Sequence, residues 1–142
     1  MVYFDTSFLA PLLLSEPTSA AVEDFVAGIA PGTLAVSQWT RVEFASLLAR
    51  LVRMAELDRQ TAAETGAAFE EMVQESFVVW LPDAADYQLA RIFLGRAETG
   101  LRAGDALHLA VAANHGADAI YTLDRKLLRA GATFGLPASP GI

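Results

Sequence analysis

Four short apolar runs set the strongest constraint on this chain. Val2-Tyr3-Phe4, Thr33 to Val36, Phe77 to Leu81 and Ala119 to Thr122 are three to five residues long. Such runs are too short for a buried helix and suit strands covered on both faces. Between them apolar residues return at helical spacing. Phe44, Leu47, Leu48, Leu51, Val52 and Ala55 fall on one face. Asp58 suits the N-cap of a helix reaching Val73, whose other face carries Glu64, Glu70, Glu71 and Glu75. Ser7 is placed to cap a short helix with Pro11 in or near its first turn. Thr18 to Ile29 and Tyr87 to Leu94 predict two more. Asp105 to Ala113 is apolar except at Asp105 and His108, the pattern of a helix buried nearly all round. Asp124 to Ala130 predicts a short last helix, and Thr133-Phe134 an edge strand. Strands alternating with helices give an α/β domain with a mostly parallel sheet of four to five strands. No linker or repeat divides residues 1–142, which read as one domain.

The net charge of −7 has the wrong sign for a broad nucleic-acid-coating surface. It is also uneven. Residues 1–40 contain no Lys or Arg, while residues 91–142 hold five Arg and Lys126 against four acids. A polyanion site must therefore draw on Arg91, Arg96, Arg102, Arg125 or Arg129, although each alone also reads as part of a solvated helix face. The absence of Cys excludes thiolate metal sites and cysteine nucleophiles and fits a reducing cytoplasm. The longest early apolar run, Phe8 to Leu14, has seven residues against the ~20 needed to span a bilayer. No basic segment precedes it, so a cytoplasmic protein without a membrane partner is expected.

The carboxylates carry the functional signal. Ligands of open parallel sheets bind beyond the carboxyl ends of the strands. Asp5 follows the first strand and Asp124 the fourth; Asp105 starts the buried helix, and Glu43 borders the apolar stripe of the helix after strand two. Each has a bland explanation as a turn residue, a cap or a solvated side chain. Together they converge on one rim, where unit charges 4 Å apart repel by about 4 kcal/mol at an effective dielectric of 20. Such a cluster takes up protons or a cation. Oxygen donors without Cys point to a hard ion, Mg2+ or Mn2+, which acidifies water and stabilises the leaving oxygen of a phosphodiester. Thr6, Ser7, Ser37 and Thr122 lie on the same rim as supporting hydroxyls, or simply as caps. His108 follows Asp105 by one helical turn and reads as a satisfied core histidine. His115 reads as a helix-terminal residue, and Trp39 and Trp80 as core or interface.

This ordered set resembles the PIN-domain nucleases. The residues that carry the resemblance are Val2-Tyr3-Phe4-Asp5-Thr6-Ser7, Glu43 before a Leu-rich helix, Gly104-Asp105-Ala106-Leu107-His108-Leu109-Ala110 and Tyr121-Thr122-Leu123-Asp124. The resemblance spans nearly the whole chain and implies a three-layer α/β/α sandwich. It also implies a metal-dependent endoribonuclease of the VapC-like kind, the toxin of a toxin–antitoxin pair. Asp5 and Asp105 then match the positions most securely tied to metal. Glu43 completes the shell, and Asp124 matches the most variable acidic position. A homodimer and a cognate antitoxin are implied as partners, with RNA as substrate gripped by Arg91, Arg102 and Arg125. A non-toxic PIN nuclease of RNA processing is the related alternative. A phosphoacceptor signalling domain is the rival from another class. It lacks support in the paired acids expected after strand one and in the placement of the sole Lys126.

Overall fold

A computed structural model describes all residues, Met1–Ile142. Five strands, β1 (Val2–Phe4), β2 (Leu34–Ser37), β3 (Val78–Trp80), β4 (Ala119–Tyr121) and β5 (Ala138–Ser139), form one sheet in the order β3-β2-β1-β4-β5. Every pairing is parallel. This order departs from the 2-1-3-4-5 sheet of receiver-type domains, which removes the phosphoacceptor reading. Seven helices cover the sheet: α1 (Thr6–Leu13), α2 (Ser19–Ala27), α3 (Gln38–Arg53), α4 (Arg59–Ser76), α5 (Ala84–Leu94), α6 (Ala103–Asn114) and α7 (Arg125–Thr133).

Strand alternation divides the interior into two cores, one on each face of the sheet. Phe4, Leu34 and Val36 point toward α1–α4 and pack with Phe8, Leu9, Val22, Phe44, Leu48 and Phe69. Tyr3, Ala35 and Ile120 point the other way, toward Phe93, Leu107, Leu109 and Leu127 on α5–α7. The result is the α/β/α sandwich. Phe44 stacks on Phe69 at 4.0 Å and ties α3 to α4. On the opposite face Trp80 lies between Tyr3 (5.6 Å, 8° between planes) and His115 (4.6 Å, 14°). Residues Ala106–Ala112 of α6 are all buried, His108 included, as a run apolar at every other position requires. No helix is long and apolar enough to cross a membrane.

Three expectations change. Asp5, not Ser7, caps α1, its Oδ1 accepting from the Phe8 N–H, which leaves Pro11 inside the helix rather than in its first turn. Helix α5 begins at Ala84 because Asp83 and Asp86 cap each other reciprocally. Thr133 ends α7 and Phe134 is its C-cap, because Leu127, Ala130 and Phe134 recur at helical intervals. The edge strand is instead Ala138–Ser139. Gly131 lets α7 seat on it, since a Cβ there would lie 2.5 Å from the Cβ of Ala138.

Candidate active site

Chain direction changes sides between β1 and β4, so a crevice opens at their carboxyl ends. A cavity of about 430 Å³ lies there, lined by Asp5, Thr6, Ser7, Glu43, Ser46, Leu47, Arg50, Arg53, Arg102, Asp105 and Asp124. Only one of these residues is hydrophobic. The four carboxylates reach it from four different elements.

Asp5 leaves β1 and is 3% exposed. Its carboxylate accepts from Ser7 Oγ (2.8 Å), Thr122 Oγ1 (2.7 Å) and the Phe8 N–H (3.0 Å). Burial pushes its carboxyl pKa up, against the opposing pull of His108 and of these hydrogen bonds. Ser7 and Thr122 also bind the start of the last helical segment. The Leu123 N–H donates to Ser7 Oγ at 2.9 Å and the Asp124 N–H to Thr122 Oγ1 at 3.0 Å. One hydroxyl pair thus fixes Asp5 and orients the turn that delivers Asp124.

Glu43 projects from α3, where Ser37 and Thr40 form the reciprocal N-terminal cap. Its Oε2 accepts from His108 Nε2 at 2.7 Å and from the Thr6 hydroxyl. Burial would raise its pKa, but the His108 bond, the His108 charge and Thr6 hold it below the ordinary carboxylate range. Asp105, at the third position of α6, accepts from the Arg102 N–H at 3.1 Å. Burial raises its pKa, and the charges of Asp124 and Glu43 add to that. Asp124 caps α7 by accepting from the N–H groups of Lys126 (2.7 Å) and Leu127 (3.2 Å).

The cations divide by position. Arg102, Arg125, Lys126 and Arg129 line an adjoining cavity of about 360 Å³ with Asp105 and Asp124. Arg50 and Arg53 edge the other side of the carboxylates. None of these six is ion-paired; Arg41 pairs with Glu70 and Arg96 with Glu98. Arg91 lies elsewhere, beside Trp39, Tyr87 and Leu94 in an apolar pocket. Ser37 is buried behind the site, 2.9 Å from the Tyr3 hydroxyl, and touches none of the four carboxylates. The sequence reading missed Arg50 and Arg53. Their signal was spacing, because Arg50 follows Glu43 by two helical turns on one face.

The donor set has the chemistry a hard divalent cation requires: four carboxylates and several hydroxyls, with no thiolate in the chain. Asp5 and Asp105 are both pushed toward holding a proton, chiefly by burial, which the charge of His108 offsets only in part. No three Asp, Glu or His side chains are gathered in a ligating arrangement around one point. Each is engaged by its own hydrogen bonds.

A family model described as PIN domain matches residues 2–132. A search of curated proteins found no match. Among solved structures, the chain is similar to VapC20 of Mycobacterium tuberculosis, a Sarcin-Ricin loop cleaving toxin, at TM-score 0.74 and 22% identity, covering 92% of this chain and 95% of that one. FitAcB from Neisseria gonorrhoeae aligns at TM-score 0.72 and 17% identity, over 99% and 98%. VapBC-1 from nontypeable Haemophilus influenzae aligns at TM-score 0.72 and 16% identity, over 99% and 98%.

Proposed function

The chain belongs to the PIN-domain family, and from that premise we propose that it is a divalent-cation-dependent endoribonuclease, the toxin of a toxin–antitoxin pair. The observation that carries this reading is the convergence of Asp5, Glu43, Asp105 and Asp124 on one polar cavity rimmed by unpaired cations. Asp5, Glu43, Asp105 and Asp124 would hold Mg2+ or Mn2+. When bound, such an ion supplies acidified water and positive charge against the charge developing on the phosphodiester.

The chain's own residues do the rest. Ser7 and Thr122 keep the Asp5 carboxylate from rotating, and Thr6 does the same for Glu43. Arg102 and Arg125, with Lys126 and Arg129, offer phosphate contacts on one side of the carboxylates; Arg50 and Arg53 offer them on the other. The RNA path is thus local, as a protein of net charge −7 requires. Fold likeness to VapC20, FitAcB and VapBC-1 supports a cognate antitoxin as partner, and the absence of Cys supports a cytoplasmic site of action. A homodimer is supported by exposed apolar side chains on and beside α3 and α5, namely Val42, Leu81, Tyr87 and Ile92.

The test is cleavage of a defined RNA with Mg2+ or Mn2+, with excess EDTA, and with Asp105→Asn. Loss of cleavage under the last two conditions is expected. Full cleavage in EDTA overturns the reading.

A further inference from the structure

Behind the carboxylates runs a buried polar chain that the chemistry above leaves without a role. Tyr3 sits on the central strand with no exposed surface. Its hydroxyl lies 2.9 Å from Ser37 Oγ and 2.7 Å from His108 Nδ1. His108 is 1% exposed, and its other nitrogen, Nε2, lies 2.7 Å from Glu43 Oε2. The Thr6 hydroxyl donates to that same oxygen. Glu43 Oε1, by contrast, has no hydrogen-bond partner and is not among the buried unpaired atoms, so it is open to solvent. Gly104 keeps it open: a Cβ there would lie 3.2 Å from Oε1 and 3.1 Å from the Trp39 ring.

Two features make this more than core filling. A Leu or Met would fill the space of His108 in this apolar helix without burying two nitrogens that need partners. Both ring nitrogens are satisfied, one by a hydroxyl and one by a carboxylate, so the ring has no freedom to turn. Two donors on one carboxylate oxygen likewise fix the terminal torsion of Glu43 and leave a single oxygen available.

We propose that His108 is a positioning residue that, with Thr6, pins Glu43 Oε2 so that Glu43 meets a divalent cation through Oε1 alone, while Tyr3 pins His108 in turn. This rests on the cation-dependent reading given above. The orienting role matches the way outer hydrogen-bond partners hold ligating carboxylates elsewhere.

The experiment titrates the full chain with Mn2+ alone, without RNA, and reads the dissociation constant from the free-ion EPR signal. His108→Gln places an amide nitrogen near the level of Nε2, keeping the bond to Glu43 and dropping that to Tyr3. His108→Asn does the reverse. Both put an amide in the same core position, and thermal melting shows that each is folded. His108→Asn is expected to weaken Mn2+ binding by about 10- to 100-fold, with His108→Gln within about threefold of wild type. Tyr3→Phe is expected to weaken it by a smaller factor than His108→Asn. Equal weakening by Asn and Gln, or unchanged affinity in a folded Asn variant, overturns the proposal. If neither amide variant folds, Tyr3→Phe decides, and unchanged affinity there overturns it. A wild-type chain that binds no Mn2+ overturns this proposal and the cation-dependent reading together. Wild-type binding and cleavage with an indifferent position 108 overturns the positioning role alone.

Discussion

Asp5 and Glu43 are held by side chains, whereas Asp105 and Asp124 are held by the backbone. The first pair is locked by Ser7, Thr122, Thr6 and His108. The second pair accepts only main-chain N–H groups in the first turns of α6 and α7, and it shares its cavity with four cations. Four acidic residues in one cavity are therefore held in two different ways. The side-chain-held half is rigid, with Asp5 buried and only Oε1 of Glu43 open to solvent. The backbone-held half faces solvent and the cations, where a polyanion would arrive.

The largest expected difference between the halves is catalytic. Asp5→Asn should lower cation-dependent RNA cleavage by about a thousandfold, equivalent to roughly 4 kcal/mol. Asp124→Asn, which keeps a capping oxygen, should lower it by only about tenfold. Initial rates on one RNA decide this, and equal losses would erase the division.

Next in size is pH sensitivity, which should sit in the rigid half. Burial alone would drive His108 toward neutrality. The Tyr3 oxygen, the Glu43 bond and charge, and the Asp5 charge outweigh it and push the pKa up to about 10. A pKa raised above its unfolded value near 6.5 contributes stability that is complete below about 6.5 and lost as pH rises toward 10. Between pH 7 and 10 in metal-free buffer, the wild-type Tm should therefore fall further than that of His108→Gln, by more than about 5 °C. Parallel melting curves would place the sensitivity elsewhere. Asp5 acts in the same direction, at lower pH. Its raised pKa means the ionised form weakens the fold as pH climbs above the ordinary carboxylate range, so Asp5→Asn should melt higher than wild type at pH 7 without metal.

The backbone-held half should instead govern salt dependence. With cleavage silenced by Asp5→Asn, Arg125→Gln and Arg129→Gln together should flatten the slope of log K against log salt by about 1.4 for single-stranded RNA. Arg91→Gln, in its apolar pocket, should leave the slope unchanged; filter binding at four salt concentrations separates the two. The smallest effect is the loss of a cap. Asp124→Ala should destabilise the chain by about 1 kcal/mol in urea unfolding, with no change in m.

Much of this organisation was legible because it is local. Strands β1 to β4 are short apolar runs that end where small polar or acidic residues begin, and Asp58 caps α4 as its position before the periodic segment implies. What stayed hidden depends on partners distant in sequence. Asp86 lies just before the helix expected from Tyr87 to Leu94, and its carboxylate is buried because Asn114 Nδ2 donates to it at 2.8 Å from α6. Strand β5 has only two residues and exists because β4 offers a free edge. The carboxylates were visible as a set because strand ends converge by topology. His108 was visible only as one polar residue in an apolar helix, since its partners Tyr3 and Glu43 lie 105 and 65 positions away. Of the three Arg expected to grip RNA, Arg102 and Arg125 line the rim and Arg91 does not. Arg50 and Arg53 lie in the acidic stretch 41–90, where four Arg face nine acids, so their charge does not stand out and the fold reveals them as cations beside Glu43.

The stack of Tyr3, Trp80 and His115 has an optical consequence. An indole clamped at 4.6 Å by an imidazole is sensitive to that contact, so Trp80 emission reports whether the stack is intact. Its other neighbour, Tyr3, is the far end of the chain of bonds that reaches Glu43. The chain holds only two tryptophans, and the second, Trp39, packs against Gly104 at the edge of the carboxylate cavity. Trp39 thus borders the site through Gly104 and Trp80 connects to it through Tyr3 and His108, and label-free emission can follow both.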